Sequence, residues 1–221
     1  MKKSYMFINR IGGFTLAELL VTLGIIGVIA ILTIPSLMQA NQKKVFVTQL
    51  KKVVSEVSQA LDTAMEDTNA PTIYATKLFL LNKKSDFFTK YMKTSQTGFN
   101  TSSNSCFASD YDDLWGSRSL SGTIFTNYTC DGWSCTYYPN WALLKDGACV
   151  SIRPNNDSGK TLLLYVDVNG KQGPNVEGRD LFGMKVDEKG NINKYLDGSS
   201  GKPRWFQAFD RIVKDGWEMK Y

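Results

Sequence analysis

The feature that most constrains this chain is a long apolar run near its amino terminus that contains one acidic residue. Residues 14–34, FTLAELLVTLGIIGVIAILTI, hold a single charged side chain, Glu18, in 21 positions. A helix of that length rises about 31 Å, which matches the hydrocarbon core of a bilayer. A carboxylate in lipid costs free energy unless it is paired, so Glu18 is a candidate functional residue. The run predicts a membrane helix over residues 14–35.

Two ordinary explanations of this run leave some residues unexplained. A secretory signal peptide has a shorter apolar stretch that is followed by small residues at the cleavage site. Here the run is too long, and a cut behind Ala40 would place the bulky Met38 at a position that requires a small side chain. A plain signal anchor explains the length of the run. It explains neither Glu18 nor the Gly12-Gly13 pair that precedes Phe14.

A third interpretation accounts for all of these residues. The stretch Gly13-Phe14-Thr15-Leu16-Ala17-Glu18, which follows a short basic segment, resembles the prepilin processing motif of type IV pilins and type II secretion pseudopilins. The resemblance implies that a prepilin peptidase removes the leader, residues 1–13, and that the new amino-terminal Phe14 is N-methylated. It also implies that Pro35 lies where many members carry a helix-bending proline. The implied partners are other pilin subunits, an assembly platform and the inner membrane.

Elementary electrostatics gives Glu18 a role in such an assembly. Cleavage would leave a positively charged amine on Phe14, and Glu18 of one subunit could pair with the amine of its neighbour. Two isolated charges in lipid would then become one ion pair. Removing one partner of a buried pair typically costs about 3–5 kcal/mol. The alternative is that the Glu18 side chain reaches to the membrane interface.

Charge and histidine content narrow the classes of function. The net charge is +5, but Lys2, Lys3 and Arg10 lie in the acid-free leader, and the remainder holds 23 basic side chains against 21 acidic ones. That balance argues against a nucleic-acid partner on charge alone. The chain has no histidine, which most acid–base triads and zinc sites use, so no enzyme is predicted.

The four cysteines indicate an oxidising compartment. All of them lie well beyond the membrane segment, at Cys106, Cys130, Cys135 and Cys149. The even number predicts two disulfides, and we favour Cys130 with Cys135 across a hairpin turn, which leaves Cys106 with Cys149. The sequence itself does not choose among the three connectivities. Four reduced core cysteines are one alternative, and a zinc site, which the spacings fit poorly, is another.

Orientation rests on these cysteines and on the processing motif. Lysines follow the apolar run as well as precede it, so the distribution of positive charge does not decide which side is cytoplasmic. We expect a single-pass protein of the bacterial inner membrane whose head lies outside the cytoplasm, and which then enters a pilus or pseudopilus.

The apolar pattern changes its period after Pro35. From Val47 to Leu61 apolar residues recur every three or four positions, which predicts an amphipathic helix over residues 36–68 that continues the membrane helix. Asn69-Ala70-Pro71 predicts its end. Pro35, with two glycines upstream, predicts a bend or a local unwinding of the helix.

Residues 69–221 are predicted to form one globular head. Short helices are expected within residues 73–92, a loop over Thr94–Ser105 and a helix over Arg204–Val213. Aromatic and β-branched runs predict strands, which are Thr123–Thr129, Thr136–Tyr138, Ala148–Arg153, Leu162–Val168, Phe182–Val186, Ile192–Leu196 and Trp217–Tyr221. The predicted fold class is α+β, a long helix packed on a small antiparallel sheet in a pilin-like layout.

Residues 167–180 are the most motif-like part of the head. Asp167, Asn169, Asn175 and Asp180 carry side-chain oxygens around several glycines, and such oxygens can ligate calcium. The segment lacks the bidentate glutamate of an EF-hand and is only broadly similar to the calcium loop of some secretion pseudopilins. The favoured interpretation is that these side chains hydrogen-bond their own backbone in tight turns. Calcium is the one cofactor that the sequence suggests.

Three classes of function follow from these patterns. The leading one is a structural subunit of a type IV pilus or type II secretion pseudopilus. The second is a minor tip pilin or adhesin whose head binds a surface, a glycan or DNA. Its aromatic residues could form a stacking surface, although such residues more often fill a core; they are Trp115, Trp133, Tyr137, Tyr138 and Trp141. The third, a membrane-tethered hydrolase using Asp110, Asp112 and Asp113, lacks a nucleophile motif, and a solvated loop explains these acids better.

Overall fold

The computed structural model describes residues 13–79, 85–99, 105–116, 118–121, 128–129, 136–137, 140–155, 161–194 and 203–221. The chain divides into two compact units, Met1–Gln42 and Lys43–Tyr221, and we call the second one the globular unit. Residues 1–12 of the predicted leader and two of the cysteines, Cys130 and Cys135, lie outside the described residues.

A single helix, α1 (Leu16–Asp67), covers both of the predicted helices. The helical structure continues through Pro35, so the local unwinding predicted at this position is not seen. The helix ends as predicted, because Asn69 takes a positive φ of 47° just before Pro71. Within the globular unit its buried residues follow a spacing of three and four positions; they are Phe46, Val47, Leu50, Val53, Val57, Ala60, Leu61 and Ala64.

The globular unit contains a six-stranded antiparallel sheet. Its strands, in their order across the sheet, are β1 (Thr94–Phe99), β6 (Asn140–Leu144), β7 (Cys149–Pro154), β8 (Leu162–Asp167), β9 (Leu181–Val186) and β10 (Ile192–Lys194). Four short strands form two separate pairs, β2 (Asp110–Asp112) with β3 (Arg118–Ser121), and β4 (Tyr128–Thr129) with β5 (Thr136–Tyr137). The remaining helices are α2 (Phe87–Tyr91) and α3 (Trp205–Lys214). The α+β class is therefore confirmed.

One face of the sheet packs against α1 and α3. Leu50 and Val57 of α1 share an apolar cluster with Val150 and Val166 of the sheet and with Ile212 of α3. Fully burying one such aliphatic side chain is worth roughly 1.5–3 kcal/mol, so this cluster is the main stabilising core of the unit.

The opposite face of the sheet carries a second apolar cluster, which the sequence analysis did not predict. A row of residues that pair in register crosses five strands on this face; it consists of Gly98, Trp141, Ser151, Tyr165 and Gly183. A Cβ atom on Gly98 would lie 2.2 Å from the Trp141 ring, and one on Gly183 would lie 2.3 Å from the ring of Trp205 in α3. The rings of Trp141 and Trp205 thus occupy the space that side chains at Gly98 and Gly183 would need.

Several strand predictions are confirmed and others are wrong. Strands β7, β8 and β9 agree with the predicted segments to within one residue at each end, and β10 begins where predicted. The loop predicted over Thr94–Ser105 is wrong in its first half, because residues 94–99 form the edge strand β1. The strand predicted over Trp217–Tyr221 is also wrong, since this segment has no strand structure and Met219 packs into the core instead.

Candidate functional site

The predicted processing site directly precedes α1. Gly13, Phe14 and Thr15 are non-helical, and Phe14 is 91% exposed. The backbone N–H of Glu18 donates to Thr15 Oγ1 at 3.2 Å, and Glu18 Oε2 accepts the backbone N–H of Thr15 at 2.8 Å. This reciprocal pair of bonds is a capping box with Thr15 as the N-cap residue. Glu18 therefore has a local structural role that the sequence analysis missed.

The capping box could have been found in the sequence. Its signature is a serine or threonine followed three positions later by a glutamate or glutamine, immediately before an apolar run. Thr15-Leu16-Ala17-Glu18 satisfies that pattern. The Thr15 hydroxyl also donates to Glu18 Oε2 at 2.9 Å, so that one threonine engages the carboxylate twice.

The first part of α1 exposes its apolar surface. Every large apolar side chain from Leu16 to Met38 is more than half exposed. Among the described residues, α1 is the one helix that is long and apolar enough to cross a membrane. No residue that the structure describes covers this stretch, and an exposed apolar surface of this size is typical of a site that contacts lipid or another protein.

Pro35 interrupts the hydrogen bonding of α1 but not its helical path. Proline has no backbone N–H to donate into the helix. On either side of it, the Thr33 hydroxyl donates to the Ile29 carbonyl and the Ser36 hydroxyl donates to the Thr33 carbonyl, both at 2.9 Å. Side-chain hydroxyls thus bond to helix carbonyls around the proline, a pattern that slightly destabilises and often bends helices.

One of the two predicted disulfides is present. Cys106 and Cys149 are bonded, with their Cα atoms 5.6 Å apart. Cys149 begins β7, and Cys106 belongs to the segment that covers the second face of the sheet. The bond therefore ties this covering segment to the central sheet. The predicted partner pair, Cys130 and Cys135, falls outside the part of the chain that the structure describes.

The loop from Asp167 to Asp180 contains a buried carboxylate that is held by backbone donors. Asp180 is fully buried, and its two carboxylate oxygens accept the N–H groups of Asn175 and Val176, each at 2.7 Å. Burial raises the pKa of Asp180 to about 6, although these two hydrogen bonds act in the opposite direction. The carboxylate fixes the conformation of the loop from within.

A second buried carboxylate begins the same loop. Asp167 Oδ2 accepts a hydrogen bond from the Tyr111 hydroxyl at 2.5 Å, and Oδ1 accepts the N–H of Asn169 at 3.2 Å. Burial raises the pKa of Asp167 well above its ordinary value, and the nearby charge of Asp180 raises it further. Burial and Asp167 likewise raise the pKa of Tyr111. Tyr111 is a member of this network that sequence reasoning missed, because it lies far away in the chain.

Two of the four predicted calcium ligands, Asp167 and Asp180, have their carboxylates committed to hydrogen bonds of this network. Both oxygens of Asp180 and both of Asp167 accept bonds from the protein, and the Asn169 amide donates to the carbonyls of Gln172 and Gly173. The side-chain oxygens of Asn169 and Asn175 are buried without a hydrogen-bond partner. Across the described residues no group of three or more histidine, cysteine, aspartate or glutamate side chains could hold a metal ion. The predicted turn network is therefore present at this loop, and calcium binding stays a prediction.

An ion pair between a buried glutamate and a partly exposed arginine anchors the end of the same loop to α3. Glu177 is fully buried and accepts a hydrogen bond from Arg204 Nε at 2.7 Å. Arg204 is the residue that precedes α3, so this pair positions the start of that helix. The role of this ion pair is structural. No sequence pattern indicated either residue.

The remaining candidate residues do not converge on a pocket that the structure describes. Asp110 and Asp112 lie on β2, and the Asp113 carboxylate accepts the backbone N–H of Trp115 in the turn that follows. Trp141 is a core residue, as the packing alternative predicts, whereas Trp115 is 61% exposed. Trp133 and the side chains of Tyr137 and Tyr138 lie outside the described part of the chain.

Comparisons of the chain with protein-family models, with curated proteins and with solved structures found no match.

Proposed function

We propose that this chain is a structural subunit that is cut after Gly13, N-methylated at Phe14 and polymerised through α1 into a type IV pilus or a type II secretion pseudopilus. The observation that carries the proposal is the apolar surface of residues 16–38, which is exposed over its whole length and begins directly behind Gly13-Phe14. Lipid would cover this surface in the inner membrane, and the same segment of other subunits would cover it in a filament.

The partners and the location follow from this proposal. A prepilin peptidase and an assembly platform would act on the chain in the inner membrane, and other pilin subunits would surround α1. The Cys106–Cys149 disulfide supports a globular unit outside the cytoplasm, because disulfides persist in oxidising compartments. Protease treatment of intact spheroplasts should digest the globular unit, and protection of that unit would contradict this orientation.

Glu18 would serve twice in this scheme. In the single chain it caps the first turn of α1 together with Thr15, which is typically worth about 1 kcal/mol. Beside the amine of a neighbouring Phe14, the same carboxylate would complete an ion pair inside the apolar bundle. Loss of one partner from such a pair costs more, about 3–5 kcal/mol. Filament assembly should therefore depend on the charge of Glu18, and helix capping on its hydrogen-bonding oxygen.

Two substitutions separate these roles. Glutamine can replace glutamate in a capping box, so Glu18→Gln keeps the cap and removes the charge, whereas Glu18→Ala removes both. We expect both variants to be processed like the wild type and both to be largely excluded from sheared filaments, which immunoblotting would quantify. Normal incorporation of Glu18→Gln would show that the ion pair is not needed. Mass spectrometry of the native chain is the more basic test, because a chain that still begins at Met1 would refute the proposed processing.

A tip pilin or adhesin is the second candidate, and the exposed Trp115 is the observation that favours it. Exposed aromatic rings stack on sugar or nucleobase faces. A glycan array and a DNA pull-down with the detergent-solubilised chain and its Trp115→Ala variant would test this function. A ligand that the wild type binds and the variant does not would favour a tip role over a bulk subunit.

A further inference from the structure

The charges on the second half of α1 are segregated by sign. Residues 43–52 contain four lysines and no acid, whereas residues 53–67 contain four acids and no base. The acidic part occupies the carboxyl-terminal end of the helix, whose last turn has no basic residue. Acids are disfavoured there because the helix dipole places partial negative charge at that end. This distribution therefore costs the isolated chain free energy, and a compensating interaction is expected elsewhere.

Half of these charged side chains have a hydrogen-bond or ion-pair partner within the chain. Lys43 donates to the main-chain oxygen of Tyr221, and Lys52 pairs with Asp146 at 2.7 Å and with Glu56 at 3.7 Å. Asp67 pairs with Lys90 at 2.8 Å. These contacts account for two of the lysines and two of the acids.

The other four charges lie together on the outward side of α1. Lys44 and Asp62 are 18 residues apart, which is five helical turns, so they point in the same direction, and Lys51 and Glu66 lie within one residue step of that line. All four are exposed. None of them forms an ion pair with any residue that the structure describes, although Lys51 Nζ lies over the Trp217 ring, 5.4 Å from its centre. We call this exposed set, Lys44, Lys51, Asp62 and Glu66, the charged stripe.

The acidic end of the charged stripe is also concave. An open depression of about 510 Å³ lies beside it, lined by Asp62, Met65, Glu66, Asn69, Pro71 and Lys189 among others. A lysine side chain of another protein could enter this depression and reach both carboxylates. Lys189 at the rim forms no ion pair with either of them in the described part of the chain.

We propose that the charged stripe binds a second copy of this chain, with Lys44 and Lys51 of one copy against Asp62 and Glu66 of the next. Subunits of a polymer are related by rotation and translation along one axis, so their helices run parallel. Two parallel copies in register would bring like charges together. Only an axial offset of about 27 Å, the rise of 18 helical residues, aligns Lys44 with Asp62 of the neighbour, and it leaves Lys51 and Glu66 about 4.5 Å apart along the axis, within reach of a lysine side chain. This inference rests on the proposed polymerisation and specifies the stagger between neighbouring subunits.

Cross-linking between two tagged full-length copies in the same cells tests the offset. The first copy carries Lys44→Cys and the second copy carries Asp62→Cys, and a short bis-maleimide joins thiols that lie close together in the membrane and filament fractions. We expect a mixed product, and at least about fivefold less product when both copies carry Lys44→Cys, because the proposed offset places those two thiols about 27 Å apart. The chain without added cysteines reports the background. Equal yields, or no mixed product, would overturn the proposal.

Charge reversal shows whether electrostatics causes the contact. Lys51→Glu added to the first copy, or Glu66→Lys added to the second copy, should each lower the yield about fivefold, and the two together should restore it, because attraction replaces repulsion. Lys51→Arg in the first copy is the matched control and should leave the yield unchanged. Failure of the double reversal to restore the product would refute charge pairing.

The same samples keep this proposal distinct from the proposed processing. Mass spectrometry reports whether the chain begins at Phe14, independently of the cross-link. A chain that begins at Met1 but yields the mixed product would refute the proposed processing and retain the proposed stagger. A processed chain that enters filaments but gives no mixed product would retain the proposed processing and refute the proposed stagger.

Discussion

The two halves of α1 share one backbone structure and have opposite surroundings. Leu23 in the first half is 57% exposed, whereas Leu50 in the second half is fully buried against the sheet. Helical hydrogen bonds are local, so both halves can form the same structure, but burial depends on what the rest of the chain supplies. The globular unit supplies its own core. Among the residues that the structure describes, nothing covers the apolar side chains of the first half in this way.

The largest expected effect is on the globular unit alone. The Cys106–Cys149 bond closes a segment with a sequence separation of 43. Removing it with Cys106→Ser and Cys149→Ser should lower the free energy of unfolding by about 4 kcal/mol, because the unfolded chain regains loop entropy. All five tryptophans lie in this unit. Urea unfolding in detergent, followed by tryptophan fluorescence, measures the change, and an unchanged midpoint would contradict it.

A matched pair of leucine truncations tests the comparison most directly. Leu50→Ala should destabilise the globular unit by about 3 kcal/mol, since it leaves a cavity in the core. Leu23→Ala should leave the same unfolding transition unchanged and instead weaken entry into filaments. If Leu23→Ala shifted the unfolding midpoint as far as Leu50→Ala, the two halves would not differ in the way that burial indicates.

The buried carboxylates give the globular unit a dependence on pH. The pKa of Asp180 rises from 3.8 to about 6 on folding, so the folded unit holds this proton more tightly than the unfolded chain. The stability from this group is fully present below pH 3.8 and is lost as pH rises towards 6, by about 3 kcal/mol in all. Urea unfolding at pH 4 to 7 with a chelator present should show this loss in the wild type. In Asp180→Asn the free energy of unfolding should depend less steeply on pH. Identical slopes in the two proteins would contradict the assignment of this loss to Asp180.

The smallest expected effect concerns calcium. Because the oxygens of Asp167 and Asp180 already accept hydrogen bonds from the protein, added calcium should not raise the melting temperature more than magnesium does. A calcium-specific rise that disappears in Asp180→Ala would show that the loop is a metal site. In that case the globular unit, like the first half of α1, would depend on a component from outside the chain.

The sequence predicted most of the elements that have a strong periodic pattern. Spacing located the buried face of α1, and β-branched runs located β7, β8 and β9. Strand β6 was missed because Trp141-Ala142-Leu143-Leu144 has no alternation, which is typical of a strand covered on both faces. Strand β1 was missed because it is polar, as edge strands often are.

The network around the loop could be predicted only in part. The loop itself was recognised from its Asp, Asn and Gly residues. Its partner Tyr111 hydrogen-bonds Asp167 across 56 positions of sequence, and no local pattern reports such a contact. At the helix start, Glu18 was assigned to assembly on grounds of charge, and the Thr15 cap escaped notice although its pattern is local.

The row of small and large residues on the second face of the sheet has a consequence for how this protein can diverge. Each glycine in the row is matched to one tryptophan on a neighbouring element, Gly98 to Trp141 and Gly183 to Trp205. A lineage that gains a side chain at either glycine must shrink its tryptophan in compensation, since the two cannot share the space. Related sequences should therefore vary at these positions as linked pairs, and such covariation would be a signature of the fold even where overall identity has been lost.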